Sequence, residues 1–147
     1  MKILFTDVDG VLHPLTAGEQ LDPYAPVSES IGNPALFCYA RMLADILAPH
    51  DDVGIVVHST WRLFTPEEDL RACLGPLARY FAGMTPSGAR YDSICWMVQQ
   101  NRMQDYRIID DALGEFPDGL HQLIVCDPER GIDDPAVLVQ LQEWLRG

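Results

Sequence analysis

Residues 2–12 read Lys-Ile-Leu-Phe-Thr-Asp-Val-Asp-Gly-Val-Leu, and this stretch decides the fold. Its first five residues form a mostly apolar run that stops abruptly at Asp7, Asp9 and Gly10. A short apolar run is typical of a parallel strand that is buried on both faces. Gly10 permits a sharp turn out of the strand because it has no side chain to obstruct the turn. The stretch therefore predicts a buried strand that empties into an acidic loop.

The rest of the chain repeats the alternation of strand and helix. Apolar runs predict further strands at 53–58, 106–109 and 123–126. Apolar spacing and capping signals predict helices at 35–48, at 66–74 with Thr65 as N-cap, at 76–81, at 91–102 and after Asp134. Residues 13–34 and 83–90 are predicted loops, the first with room for a single helical turn. The order predicts a three-layer α/β/α, Rossmann-like domain with a central parallel sheet.

We expect a single domain over residues 1–147, because the chain shows no internal repeat or linker and neither loop is long enough for a cap domain. The longest apolar runs fall far short of the roughly 20 residues of a membrane span. The first residues do not resemble a signal peptide, and the four cysteines form no Cys-x-x-Cys pair. We therefore expect a cytoplasmic protein with reduced, structural cysteines.

The net charge of −12 is strong for this length. Such a field repels nucleic-acid backbones and membrane surfaces, so broad polyanion binding is disfavoured. Clustered acids can instead bind cations, which leaves a metal site open.

Polar side chains follow all four predicted strands at the point where each strand ends. They are Asp7 and Asp9, Ser59 and Thr60, Asp110 and Asp111, and Asp127. Ligands of open parallel sheets bind outside the carboxyl ends of the strands, so we expect these side chains to converge. The alternative is that each is an ordinary polar turn, but two paired-acid exits with a Ser-Thr exit between them favour a site.

The stretch from Phe5 to Leu12 closely resembles the signature of the haloacid dehalogenase superfamily of phosphatases, an apolar strand followed by Asp-x-Asp-Gly. The resemblance implies that Asp7 attacks phosphorus and forms an aspartyl-phosphate. It also implies that Asp9 protonates the leaving oxygen and later activates water. The residue types suit this chemistry, because a carboxylate nucleophile divides hydrolysis into two steps and an adjacent acid supplies and removes the proton.

Ser59 or Thr60 matches the second motif of that family, in which a hydroxyl holds a phosphate oxygen. Arg62 is a candidate for a second phosphate contact. We expect His58 to be a strand-end residue and Trp61 to be a packing residue.

The third motif of the family is a basic residue, usually lysine, and here the sequence departs from the pattern. Lys2, the only lysine, lies at the wrong end of a strand. Arg90 occupies the corresponding place, and Arg62 or Arg107 are alternatives. Arginine suits the role because it can contact a phosphate through two N–H groups.

The strand that ends in Asp110 and Asp111 resembles the metal-binding motif of the family. The resemblance implies a Mg²⁺ held by Asp7, the backbone carbonyl of Asp9 and Asp110, with Asp111 as an alternative ligand or the holder of a metal-bound water. Magnesium prefers oxygen ligands, and without a cation these carboxylates would repel each other.

The sequence thus predicts a magnesium-dependent phosphomonoester hydrolase of a compact, nearly capless type, similar to the haloacid dehalogenase domains linked to nucleic-acid end repair. A small phosphorylated substrate is favoured, and a second subunit could close the open site. One alternative is a nucleic-acid 3′-phosphatase, against which the acidity counts. Others are a magnesium-binding phospho-acceptor domain that does not turn over and a catalytically dead scaffold.

Overall fold

A computed structural model describes residues 1–19, 24–26, 29 and 33–147, and its centre is a sheet of five parallel strands. The strands are β1 Lys2–Thr6, β2 Val53–Val57, β3 Phe81–Met84, β4 Asp105–Asp110 and β5 Leu123–Val125. Their order across the sheet is β3-β2-β1-β4-β5. Because β1 lies between β2 and β4, the loops that follow these three strands are neighbours at one edge of the sheet.

Helices cover both faces of the sheet. They are α1 Leu15–Glu19, α2 Ala40–Leu47, α3 Glu67–Leu74, α4 Arg90–Gln100 and α5 Pro135–Arg146, with 3₁₀ turns at Thr60–Leu63, Gly75–Tyr80 and Leu113–Glu115. The predicted three-layer α/β/α architecture with a parallel sheet is confirmed, and the described ranges contain no inserted cap domain.

The alternating side chains of the strands build two separate apolar cores. Leu4 of β1 packs in the larger core, to which α2, α3 and α5 contribute side chains such as Leu43, Leu74 and Leu141. Ile3 and Phe5 point to the other face and pack with Ile94 of α4. Burial of β1 on both faces explains why its sequence is continuously apolar rather than alternating.

Several predicted boundaries were wrong. The helix predicted at 35–48 begins only at Ala40, because residues 34–39 form turns in which Phe37 has a positive φ of 56°. The predicted N-cap Thr65 makes no capping bond. Pro66 occupies the N-cap position of α3, and the Thr65 hydroxyl is buried without a hydrogen-bond partner. The short helix predicted at 76–81 is the 3₁₀ turn Gly75–Tyr80, and Phe81 belongs to β3.

Strand β3 was missed within the predicted 83–90 loop and just before it. Its sequence, Phe-Ala-Gly-Met, has little intrinsic preference for a strand, and pairing with β2 supplies what the sequence does not. The bounds of the other predicted elements agree with the observed ones to within two residues. Asp134 caps α5 as predicted, since its side chain accepts from Ala136 N. Part of the predicted 13–34 loop lies outside the described residues; within the described part, α1 is the single helical turn.

All four cysteines are free. Among the described residues, no helix has the length and apolar character needed to cross a membrane.

Candidate active site

The hydrogen bonding of β1 continues one residue beyond the strand and thereby fixes the position of Asp7. The Asp7 N–H donates to Ile109 O of β4 at 3.1 Å, and the His58 N–H donates to Thr6 O at 3.1 Å. Asp7 therefore emerges between the ends of β2 and β4. This register brings its side chain to Asp110, the last residue of β4.

Three acids converge at this edge of the sheet. Asp7, Asp110 and Asp111 each offer one carboxylate oxygen, and these oxygens lie within 4.8 Å of one another. Asp7 and Asp110 are buried, with exposed fractions of 4% and 1%. The donor set consists of oxygen only, which is the ligand chemistry that Mg²⁺ prefers. The residues thus fit a magnesium ion.

Arg90 supplies positive charge to the acid cluster. It is the first residue of α4, and its Nη1 donates to Asp7 Oδ2 at 3.1 Å and to Asp110 Oδ1 and Oδ2 at 2.8 and 2.7 Å. Burial lowers the pKa of this guanidinium, but the combined attraction of Asp7 and Asp110 outweighs burial. The pKa of Arg90 is therefore raised above its ordinary value. Arg107, the alternative for this role, instead lies near Asp105 at 3.9 Å and Trp144 at 5.7 Å from the ring centroid, toward the opposite end of β4.

The three carboxyl groups differ in their electrostatics. Burial, and then repulsion by Asp110, raise the pKa of Asp7 well above its ordinary value, against the attraction of Arg90. Burial also raises the pKa of Asp111. For Asp110 burial acts in the same direction, but the hydrogen bond and charge of His58, the Ala112 N–H and Arg90 outweigh it and lower the pKa to about 2. Negative charge at Asp7 is therefore costly unless a cation joins the cluster.

The carboxylate of Asp9 has different partners. Its Oδ1 lies 2.6 Å from His13 Nε2, and its Oδ2 accepts from Trp61 Nε1 at 3.1 Å. Asp9 lies beyond the end of β1 at Thr6, and its side chain does not join the three-acid cluster. Binding of a metal by the Asp9 carbonyl stays a prediction.

Gly10 makes the turn after Asp9 possible. Its φ is +79°, in the left-handed region, and a Cβ atom at this position would overlap the carboxylate of Asp111. Only glycine meets both conditions without displacing the acid cluster.

The residues after β2 divide into buried and exposed positions. Ser59 is fully buried, and its Oγ accepts from Trp61 N at 3.2 Å, which leaves the hydroxyl hydrogen free to donate to a phosphate oxygen. Thr60 is exposed. Trp61 is 1% exposed and packs between Phe37 and Phe64, so the prediction of a packing residue is confirmed.

Arg62 binds backbone carbonyls. Its guanidinium donates to His58 O and Ser59 O, both at 2.7 Å, and to Pro86 O and Gly88 O at 3.3 and 3.2 Å. Four of its five N–H groups are thus used to join the loop after β2 to the loop before α4. One N–H group of Arg62 is left for the predicted contact with a phosphate.

His58 is the strand-end residue that was predicted, but sequence reasoning missed the contacts that His58 and His13 make with the acids. His58 Nε2 lies 2.7 Å from Asp110 Oδ2, and burial lowers the pKa of this imidazole despite the carboxylate. His13 contacts Asp9, as described above. The position of His58 directly after β2 was the available signal, whereas His13 stands in a stretch that was predicted only as a loop.

A family model described as "HAD domain in Swiss Army Knife RNA repair proteins" matches residues 3–137, where HAD stands for haloacid dehalogenase. This match confirms the resemblance to the haloacid dehalogenase superfamily and to its members linked to nucleic-acid repair. No curated protein and no solved structure matches the chain.

Proposed function

We propose that this chain, which belongs to the family of HAD domains in Swiss Army Knife RNA repair proteins, is a magnesium-dependent phosphomonoesterase that works through an aspartyl-phosphate on Asp7. The observation that carries the proposal is the contact of one guanidinium, that of Arg90, with both Asp7 and Asp110 inside a three-acid cluster. A solvated polar turn would not need a buried carboxylate, a charged partner and two further acids at one strand end.

In the first step, a carboxylate oxygen of Asp7 forms a bond to phosphorus as the bond to the leaving oxygen breaks. The Val8 N–H donates to Asp7 Oδ1 at 2.8 Å and Arg90 donates to Oδ2, so the nucleophile is held from both sides. In this proposal, Arg90 and the Ser59 hydroxyl contact phosphate oxygens. Magnesium held by Asp7, Asp110 and Asp111 would neutralise charge on the carboxylates and on the phosphate.

Asp9 is the general acid in the first step and the general base in the second. In the first it donates a proton to the leaving oxygen, which takes the electron pair of the broken bond. In the second it accepts a proton from the water that attacks phosphorus, and the bond to Asp7 breaks. The two carboxylates lie in different environments, because Asp7 is buried beside other charged groups whereas Asp9 contacts His13 and Trp61.

The substrate class follows from two opposed observations. The net charge of −12 favours a small phosphorylated molecule. The family description favours a phosphate-ended RNA as a second candidate, and no cap domain is inserted within the described ranges.

The test is a hydrolysis assay with aryl phosphate, phosphorylated metabolites and RNA or DNA oligonucleotides that carry a 3′- or 5′-phosphate, each with magnesium and with excess chelator. We expect magnesium-dependent release of phosphate over many turnovers. Equal rates with chelator would contradict the proposal. A single equivalent of phosphorylated protein without turnover would instead identify a phospho-acceptor domain.

A further inference from the structure

His13 is fully buried and its ring orientation is fixed from two sides. The Phe37 N–H donates to Nδ1 at 3.0 Å, so Nδ1 acts as the acceptor and Nε2 carries the ring hydrogen. Nε2 then donates to Asp9 Oδ1 at 2.6 Å. The rings of Phe37 and Trp61 pack edge-on against the imidazole, with centroids at 5.4 and 6.0 Å.

The backbone of Phe37 is strained where it serves His13. Its φ of 56° lies in the left-handed region, which is unfavourable for a residue with a side chain. This conformation directs the Phe37 N–H toward Nδ1 of His13. Backbone strain of this kind persists where the surrounding structure enforces it. Here the strained conformation of Phe37 selects the tautomer of His13 that carries its hydrogen on Nε2.

Gly18 of α1 closes the other side of the same oxygen. A Cβ atom at position 18 would overlap Asp9 Oδ1 and would lie 3.2 Å from His13 Nε2. The φ of Gly18 is not positive, so glycine is required there for space and not for backbone conformation. Asp9 Oδ1 is thus enclosed by His13 and Gly18, whereas Oδ2 has the Trp61 N–H as its contact.

We propose that His13 and Gly18 are positioning residues that hold Asp9 with Oδ1 enclosed, so that Oδ2 is the oxygen that delivers the proton to the leaving group. The inference rests on the proposed function, because it assigns an orientation to the proposed acid. Neither residue contacts the substrate. Both act through the Asp9 carboxylate, as outer partners of functional carboxylates commonly do.

The experiment compares two substrates that differ in their need for a proton. Dinitrophenyl phosphate has a leaving group that departs without protonation, whereas an alkyl phosphate such as glycerol 2-phosphate needs the acid. The measured quantity is kcat/KM, because it reports the step in which the leaving group departs. Asp9→Asn serves as the reference and should lose activity mainly on the alkyl phosphate.

Gly18→Ala should lower kcat/KM on the alkyl phosphate by about 10- to 100-fold and on dinitrophenyl phosphate by less than about threefold. Alanine favours a helix over glycine, so this variant should keep its melting temperature. Gly114→Ala is the matched control, since a Cβ atom at position 114 meets no atom within 4 Å.

His13→Leu should show the same selective loss, and His13→Gln should recover part of it because its side-chain amide can donate to Asp9. His121→Gln, at an exposed histidine, is the control. Equal losses on both substrates in Gly18→Ala and His13→Leu, or no loss in Gly18→Ala, would overturn the inference. If Asp9→Asn still shows a selective loss on the alkyl phosphate, the proposed function is left intact. A wild type that hydrolyses neither substrate would overturn both.

Discussion

Asp7 is buried beside two other acids, and this environment makes ionisation of the proposed nucleophile unfavourable. Burial and repulsion by Asp110 raise its pKa, so an ionised Asp7 destabilises the metal-free fold. Asp7→Asn should abolish turnover, because an amide does not attack phosphorus. In excess chelator it should melt at the same temperature as the wild type or higher, since the repelled charge is gone. Near wild-type turnover of a carefully purified variant would refute the assignment.

Arg90 is the second residue whose removal separates competing assignments. Its Nη1 contacts Asp7 and Asp110, so Arg90→Ala should lower kcat/KM by about two to four decades, as loss of a transition-state charge contact commonly does. Arg90→Lys should recover part of the loss, because an ammonium keeps the charge but not the planar fork.

Arg107→Ala is the control for Arg90, because Arg107 lies with Asp105 and Trp144 away from the acids. It should leave kcat/KM within about threefold of the wild type, as expected for a change remote from the site. A silent Arg90→Ala combined with an inactive Arg107→Ala would reverse the assignment.

At the scale of elements, Arg62 joins two loops. It donates to His58 O and Ser59 O after β2 and to Pro86 O and Gly88 O before α4. Arg62→Ala should reduce the free energy of unfolding by about 2 kcal/mol, because the part-buried bonds to His58 O and Ser59 O lose their charged donor. It should also lower kcat/KM, by less than Arg90→Ala does, since the loop that leads to Arg90 is released.

Urea unfolding and steady-state kinetics measure the two effects of Arg62→Ala. Unchanged stability with a large rise in KM would show instead that Arg62 contacts the substrate phosphate directly.

At the opposite end of the sheet, the side chain of Asp105 connects β4 to α5 and β1 through hydrogen bonds. Asp105 of β4 accepts from Trp144 Nε1 of α5 at 2.7 Å and from Lys2 Nζ of β1 at 3.2 Å. The Trp144 bond, the larger cause, and Lys2 lower the pKa of Asp105, although burial acts against them. The folded state therefore binds the proton more weakly than the unfolded state does. The resulting stability is present above the ordinary pKa of 3.8 and is lost as the pH falls below it.

Asp105→Asn should cost about 0.5 to 1 kcal/mol at pH 7, a small value because the side chain is 46% exposed and solvent screens it. The cost should shrink as the pH falls below 3.8, where the wild type also loses its charge. Urea unfolding at the two pH values measures it, with the exposed Asp118→Asn as control. A cost that persists undiminished at acid pH would show that packing of Trp144, not charge, is responsible.

At the scale of the whole molecule, the acid cluster exists only when the ends of β1 and β4 are assembled. The carboxylates of Asp7, Asp110 and Asp111 converge in the folded state alone, so a bound Mg²⁺ should stabilise that state by mass action. At a magnesium concentration of 100 times Kd the gain is about 2.7 kcal/mol. For a chain of this size that gain corresponds to a rise in Tm of several degrees.

Thermal melts with millimolar magnesium and with chelator measure this rise. Asp110→Asn should abolish it, and Asp118→Asn should not. A wild-type Tm that does not respond to magnesium would mean that the acids are only solvated turns.

The sequence by itself determined the central strand, the α/β layers and the acids that gather at one edge of the sheet. Lys2–Thr6 was predicted with the observed bounds, because burial on both faces leaves a continuous apolar run in the sequence. The Asp-x-Asp-Gly stretch and the paired acids at the end of β4 can likewise be recognised in the sequence, since each motif lies within a few adjacent residues.

Tertiary structure alone decided which side chains meet. Arg90 reaches Asp7 across 83 residues, and Arg62 is instead occupied by carbonyls, a distinction that no local pattern contains. Strand β3 exists because β2 offers it a partner, not because Phe-Ala-Gly-Met prefers a strand. The contact of His13 with Asp9 depends on the strained backbone of Phe37, 24 residues later. These features arise from packing between distant segments, and the sequence encodes such packing only through the assembled fold.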